Sequence, residues 1–283
     1  MKPRNKIQPL PFVLPALFVY ILTVIIPILW SMGYSLFSWN GIGDMKFIGL
    51  ENYVRMFQDE TFREAVVNNL KFVVLGSLFQ LCAGLILAIL LTHISKGGNI
   101  LRVIYFIPCI ISSMAICQIF SKMLSVQPQG LVCYVMEKLG MEPIALLANS
   151  HTALITITLI DGYKYCGLYM IIFYSAFVSI SKDVIEASTM DGCNVFQQYR
   201  YIKLPLVKNI FSIVIVMLVN GCLKTFDVFY ILDNKSRSTE MVAFNSADFG
   251  YGSTLSVFLV IECLVAVGII QKCLGSAKGD GSE

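Results

Sequence analysis

Six stretches of the chain are each long and apolar enough to cross a bilayer. They run from about Pro11 to Phe37, Val66 to Leu91, Val103 to Leu124, Thr152 to Val178, Ile210 to Ile231 and Tyr251 to Leu274. A helix of roughly 20 apolar residues spans the hydrocarbon core. Backbone amides find no water there, so such stretches must bond internally as helices. The sequence therefore predicts an all-α polytopic membrane protein with six transmembrane helices. Composition agrees, with 57% hydrophobic and 14% charged residues and a mean hydropathy of +0.74. Soluble domains carry about 25% charged residues. That contrast excludes a soluble enzyme domain, a disordered regulator and a nucleic-acid binder. The net charge of +3 over 283 residues is too small for a basic docking surface.

Lys2, Arg4 and Lys6 precede the first segment, as they would a signal peptide. The apolar run is too long for one, and Tyr34, Phe37 and Trp39 follow where small residues would mark cleavage. The segment reads as a retained helix with Trp30, Tyr34 and Trp39 in the aromatic belt. With the N-terminus inside, eleven basic residues face the cytoplasm and eight face outward. That bias predicts both termini in the cytoplasm. Residues 1–65 then form the N-terminal tail, first helix and outer loop, 66–275 the five-helix body, and 276–283 a cytoplasmic tail. The outer loop looks partly helical, with Leu50, Tyr53, Val54 and Phe57 at helical spacing.

Most of the nine cysteines lie inside apolar stretches, and none forms a C-x-x-C pair. They read as small buried hydrophobes, with Cys133 alone loop-borne and open to the outside. Gly41-Ile42-Gly43-Asp44 matches the G-x-G-D of intramembrane aspartyl proteases, but it sits in an outer loop. His93 and His151 lie near span ends without paired metal ligands, so no metal site is expected. Asn234-Lys235-Ser236 fits a glycosylation acceptor.

Ionisable residues within spans are costly and become functional candidates. Asp161 and Lys164 lie three apart in the fourth span, as do Lys224 and Asp227 in the fifth. That spacing puts each pair on one helix face. Each pair is either an internal ion pair or part of a polar translocation path. Tyr163, Tyr165, Tyr169 and Asn220 accompany them and favour the path reading slightly. Glu262 stands alone in the last span, and Gln80 and Gln118 are weaker candidates.

The internal segment 179–209 is the longest on the cytoplasmic side. Val184 to Ser188 reads as a short helix, Gly192 as a break, and Val195, Phe196, Tyr199 and Ile202 as one face of a second helix ending before Pro205. A glycine between two helices permits a left-handed turn. Such a hairpin either inserts into a groove on another protein or rests on the lipid interface.

The spacing resembles the EAA signature of the membrane subunits of bacterial ABC importers. Glu186-Ala187-Ser188, Gly192 and Ile202-Lys203-Leu204-Pro205 match its offsets, and Asp191 fits before the glycine. Ser188 replaces the second alanine. Phe47-Ile48-Gly49-Leu50-Glu51-Asn52-Tyr53, Phe106-Ile107-Pro108, Lys224-Thr225-Phe226-Asp227 and Phe249-Gly250-Tyr251-Gly252-Ser253 are similar to the carbohydrate-type permeases of the maltose and glycerol-3-phosphate group. Relatives usually carry a glycine-rich turn after the fifth span, where this chain has Asp233-Asn234-Lys235-Ser236-Arg237.

The resemblance implies the type I ABC importer permease fold, without enzymatic activity of its own. It implies a second permease subunit, usually a different chain, two cytoplasmic ATPase subunits and an extracellular solute-binding protein. Residues 179–209 would be the coupling loop, with Glu186, Ala187, Ser188, Asp191, Gly192, Ile202, Leu204 and Pro205 at the ATPase contact. ATP would be bound by the partners, and the sequence has no G-x-x-x-x-G-K-[ST] loop. The solute would be a sugar or polyol. The alternative is a secondary transporter of a small polar solute, but such proteins often show internal repeats and broken helices, and no repeat is evident.

Overall fold

A computed structural model of the chain describes residues 10–94, 96–225, 227–232 and 248–275. The chain enters through α1 (Leu10–Tyr20), a π-helical turn (Ile21–Ile25) and α2 (Ile26–Tyr34). A two-stranded hairpin follows, β1 (Phe37–Ser38) and β2 (Lys46–Phe47), then α3 (Glu51–Gln58) and the long α4 (Glu60–Thr92). Next come α5 (Gly98–Ile110), α6 (Ser113–Leu124), α7 (Leu131–Lys138) and α8 (Ser150–Val178). The loop region holds α9 (Lys182–Met190), α10 (Val195–Gln197), a π-helical stretch (Gln198–Lys203) and α11 (Leu204–Leu206). It leads into α12 (Lys208–Leu223), α13 (Asp227–Leu232) and α14 (Phe249–Gly275).

Among the described residues four helical stretches are long and apolar enough to cross a membrane, or six if each bent pair is one span. The third expected span is not one rod. α5 and α6 meet at 93°, because Ile111 and Ser112 are extended. Pro108, just before, supplies no amide to the helix ladder. The fifth expected span stops at Lys224 and resumes as α13. The motif residue Phe226, the segment Asp233 to Arg237, the N-terminal lysines and the tail 276–283 lie outside the described residues.

α4 and α8 form the central pair, with α5 packed on α8 and α12 on α4, while α14 packs on α12, α2 and α3. Lipid gives apolar helices no reason to associate, so close backbone approach matters. Gly167 of α8 lies against the backbone of Tyr105 and Phe106 on α5, and any Cβ there would collide with the Tyr105 carbonyl. Three apolar cores result among the described residues, the smallest of them Met56, Phe62, Ala65, Tyr251 and Leu255; the two larger lie within the helix bundle. One gathers Phe72, Ile157 and Phe229, and the other Met170, Phe173 and Val214.

The hairpin was invisible in the sequence, since two-residue strands leave no alternation to read. It pairs Phe37 with Phe47, whose rings meet edge-on at 5.4 Å. α3 forms where the spacing of Leu50, Tyr53, Val54 and Phe57 places it. Yet Leu50, Val54 and Phe57 are exposed, and Asn52 and Met56 form the buried face. Asn52 Nδ2 donates to the carbonyls of Ser35 and Phe37, which turns that face inward. Cys133, expected in an exposed loop, lies on α7 and is buried.

At this hairpin end, Asp59 caps α4 by accepting from the amides of Thr61 (2.9 Å) and Phe62 (3.4 Å). The Tyr251 hydroxyl of α14 donates to its other oxygen at 2.7 Å. Arg55 stacks on Tyr251 at 4.4 Å and pairs with Asp248 at 3.0 Å. Burial pushes the Asp59 carboxyl up, but the bonds from Tyr251, Phe62 and Thr61 together outweigh it and hold its pKa below the ordinary value. Asp59 therefore stabilises the fold above the unfolded value of about 3.9, and this contribution is lost as pH falls through the lower folded value. Asp59→Ala should lower the melting temperature in detergent at neutral pH, reflecting about 1 kcal/mol. The gap from the parent should narrow in melts taken at increasingly acidic pH.

Candidate functional site

Two regions collect the candidate residues. The first is the turn between α9 and α10. Gly192 has φ +78°, a conformation that costs a side chain about 1–2 kcal/mol. Around it the Gly192 amide donates to Thr189 O (3.1 Å) and the Cys193 amide to Ser188 O (3.0 Å). This is the Schellman arrangement that ends helices at glycine. The next helix opens at once with a capping box. Asn194 accepts from the Gln197 amide and Gln197 from the Asn194 amide, at 2.9 and 2.8 Å. Gln198 Nε2 then donates to Thr189 Oγ1 at 3.0 Å and ties the two arms together. Ser188 is buried, and its hydroxyl donates to Ile185 O at 2.6 Å. The serine is thus satisfied where an alanine would fit.

The turn presents a firm apolar knob, with Met190 88% and Phe196 75% exposed and Val195 and Tyr201 beside them. Glu186, Ala187, Asp191 and Pro205 are exposed, while Ile202 and Leu204 are half-buried. The second arm differs from its expected form in two ways. It does not end before Pro205, but runs helically through it to Leu206 by way of the π-helical stretch. Proline removes one amide from the ladder, and here the Leu204 amide reaches back to Tyr199 O. Nor do its apolar residues share one face. Tyr199 turns into the body and is 6% exposed, while Phe196 turns out.

The second region is a cavity of about 200 Å³ lined by Gln80, Ser113, Asp161, Tyr165, Tyr169, Lys224, Thr225 and Asp227, among others. It thus joins α4, α6, α8, α12 and α13. Both helix breaks open onto it, since Ser113 starts α6 and Lys224–Thr225 lie between α12 and α13. Irregular backbone at membrane depth is tolerated where it lines a cavity.

Asp161 is 2% exposed and accepts from Gln80 Nε2 at 2.9 Å. Lys164, also buried, donates to Ser113 Oγ and to the Tyr165 hydroxyl (3.1 Å). No contact ion pair joins Asp161 to Lys164, because each has a partner on another helix or side chain. Lys224 and Asp227 are exposed and lie on either side of the break, so they do not share one helix face. Tyr163 and Lys164 do not line the cavity, and the Tyr163 ring instead meets Phe120 at 5.7 Å. Gln118, Asn220 and Glu262 also lie off its wall. Ser113 carried no sequence signal, and Thr225 appeared only as a member of the Lys224–Asp227 motif. Among the described residues no group of three or more side chains could hold a metal ion.

Residues 80–275 match the family described as Binding-protein-dependent transport system inner membrane component. The chain is 30% identical over 282 residues to the Probable ABC transporter permease protein YurN of Bacillus subtilis (strain 168), covering 95% of this chain and 96% of that protein. It is 27% identical to the Arabinooligosaccharides transport system permease protein AraP of the same organism, covering 98% and 91%. Its fold superposes with a TM-score of 0.83, at 19% identity, on a chain of a bacterial alginate ABC transporter in complex with an alginate pentasaccharide-bound periplasmic protein. The match covers 96% of this chain and 95% of the other.

The buried contacts predict a pattern in double variants. Asp161→Ala leaves Gln80 without its acceptor and Lys164 without a nearby counter-charge, a cost of about 1–3 kcal/mol for an unsatisfied buried group and more where a charge is involved. Asp161→Asn with Lys164→Gln removes both charges and keeps hydrogen-bonding shape. Melting curves in detergent should show the single variant strongly destabilised and the double variant near the parent.

Proposed function

Because the chain belongs to the family of binding-protein-dependent transport system inner membrane components, we propose that it forms half the path of an ATP-driven importer for a sugar or related polyol. It works in the bacterial plasma membrane with both termini in the cytoplasm. A second permease subunit, of different sequence, completes the path. Two cytoplasmic ATPase subunits bind the ATP, and an extracellular solute-binding protein delivers the solute.

One observation carries this reading. The turn at Gly192 is fixed by a helix stop and a helix start in immediate succession, and it holds an apolar knob away from the body. Such a knob fits a groove on another protein better than it serves this chain. Residues 179–209 therefore dock on the ATPase, with Glu186, Ala187 and Asp191 at the contact and Gly192 setting the turn. Ser188, Ile202, Leu204 and Pro205 hold its shape. ATP-driven closure of the ATPase pair draws the loop and its counterpart together, and the spans open outward to accept solute.

The cavity is this chain's share of the path. Its carboxylates, ammonium group, hydroxyls and tyrosine rings replace the water lost by a polyol. Asp161, Lys224 and Asp227 line it, and Lys164 fixes the Ser113 and Tyr165 hydroxyls. Tyr163 shapes it only at second hand. The name of the arabinooligosaccharide relative supports a carbohydrate solute.

Substitutions at Gly192 test the coupling role. No atom lies within 4 Å of a Cβ built there, so backbone strain alone sets the outcome. Asparagine tolerates the left-handed region better than alanine, and valine tolerates it least. Solute uptake by cells should fall in the order Gly192, Asn, Ala, Val while membrane levels stay level. Equal uptake by Gly192→Val would sink the role. Orientation has its own test. An impermeant thiol reagent should modify Ile42→Cys in intact cells and Cys193 only after permeabilisation. Labelling of Cys193 from outside would reverse the topology.

A further inference from the structure

A loop can move spans only through its attachments. Residues 179–209 join α8 and α12 through the chain, and Tyr199 makes a third, lateral attachment to α4. We propose that Tyr199 is a positioning residue that passes movement of the loop to α4, and through α4 to Gln80 at the cavity. The inference rests on the coupling role proposed above.

The geometry is specific. Thr92, in the last turn of α4, donates its hydroxyl to Ile89 O at 2.7 Å. Its oxygen is then the acceptor for the Tyr199 hydroxyl that bonds to it. The Tyr199 ring stands edge-on to Phe177 of α8 at 5.5 Å, beside His93 at 5.8 Å, with Lys203 Nζ 4.1 Å above it. His93 Nδ1 in turn lies 2.8 Å from Ile89 O. Tyr199 is thus held on several sides, while Phe196 and Tyr201 close by are among the most exposed aromatic residues. Twelve residues before Thr92 in the same unbroken helix stands Gln80, ~18 Å away at the α-helical rise. Its amide holds Asp161 in the cavity wall at 2.9 Å. A displacement applied at Thr92 therefore reaches the cavity along one rod.

A merely structural Tyr199 would serve equally well as phenylalanine, because ring packing survives the change. The transmitting role needs the hydroxyl, which separates the two. The test uses native membranes that carry the importer with its partners and surface proteins in place. A cysteine introduced by Leu168→Cys, at the cavity wall, is treated with an impermeant thiol reagent. Modification at position 168 is read by peptide mass spectrometry with ATP and vanadate, and without nucleotide. In the otherwise unchanged protein the nucleotide should alter the rate by about fivefold or more, the ordinary range of coupling between sites. Tyr199→Phe and Thr92→Val should each cut this response to below about twofold, at unchanged membrane level and unchanged ATPase co-purification. Thr92→Ser, which keeps the hydroxyl, should retain it. A full response in Tyr199→Phe and Thr92→Val overturns the transmitting role and leaves the coupling reading standing. Absence of any nucleotide response in the Leu168→Cys parent overturns the coupling reading, and the role of Tyr199 with it.

Discussion

In a bilayer the backbone must satisfy itself, while apolar side chains gain nothing by leaving lipid for protein. The contact of α4 with α8 answers both conditions. Each is an unbroken helix, and between them lies the buried Gln80–Asp161 bond. α5 and α12 are arranged around that pair. α5 is brought close by Gly167, and α12 fills the second core through Val214 and Leu218. The two interrupted helices place their interruptions where α4 and α8 already enclose polar space. The cavity is the place where this packing lets the backbone stop being helical, and polar groups of four helices gather there.

Much of this was legible in the residues because its causes are local. Hydropathy marks a span without reference to any neighbour. The turn at Gly192 is local too: the glycine between two short helical patterns located it, while the Asn194–Gln197 capping box that opens the next helix went unread. The helix breaks have a different origin. Ile111, Ser112 and Thr225 sit in or beside apolar runs, and only the assembled cavity makes an extended residue tolerable there. The charged pairs failed for a similar reason. A spacing of three places Asp161 and Lys164 on one face, but Gln80 and Ser113 from other helices offered better-placed partners.

Direction was harder to read than position. On α3 the apolar stripe faces out, because one asparagine satisfies two carbonyls behind it. On the arm after Gly192, Tyr199 and Phe196 look alike in the sequence and point opposite ways. Apolar periodicity names the residues that avoid water, but the partner that covers them belongs to another element or another chain. The exposed residues near Gly192 and those buried beside Thr92 are therefore two surfaces of one short helix, one turned outward and one to the chain's own body.

The two ends of the loop are mechanically unlike. Between α8 and α9 the chain turns by 70° across residues 179–181. From Val195 to Leu223 the backbone stays helical, with Val207 as its one irregular residue between α11 and α12. A joint at one end and a shaft at the other make the loop a crank. On the proposed coupling role, torque applied at the knob would turn the shaft about its own axis, and the joint would absorb the swing. Lys224 caps the end of α12 on the cavity wall, so a small rotation of the shaft at one membrane face would reorient that ammonium group at its other end.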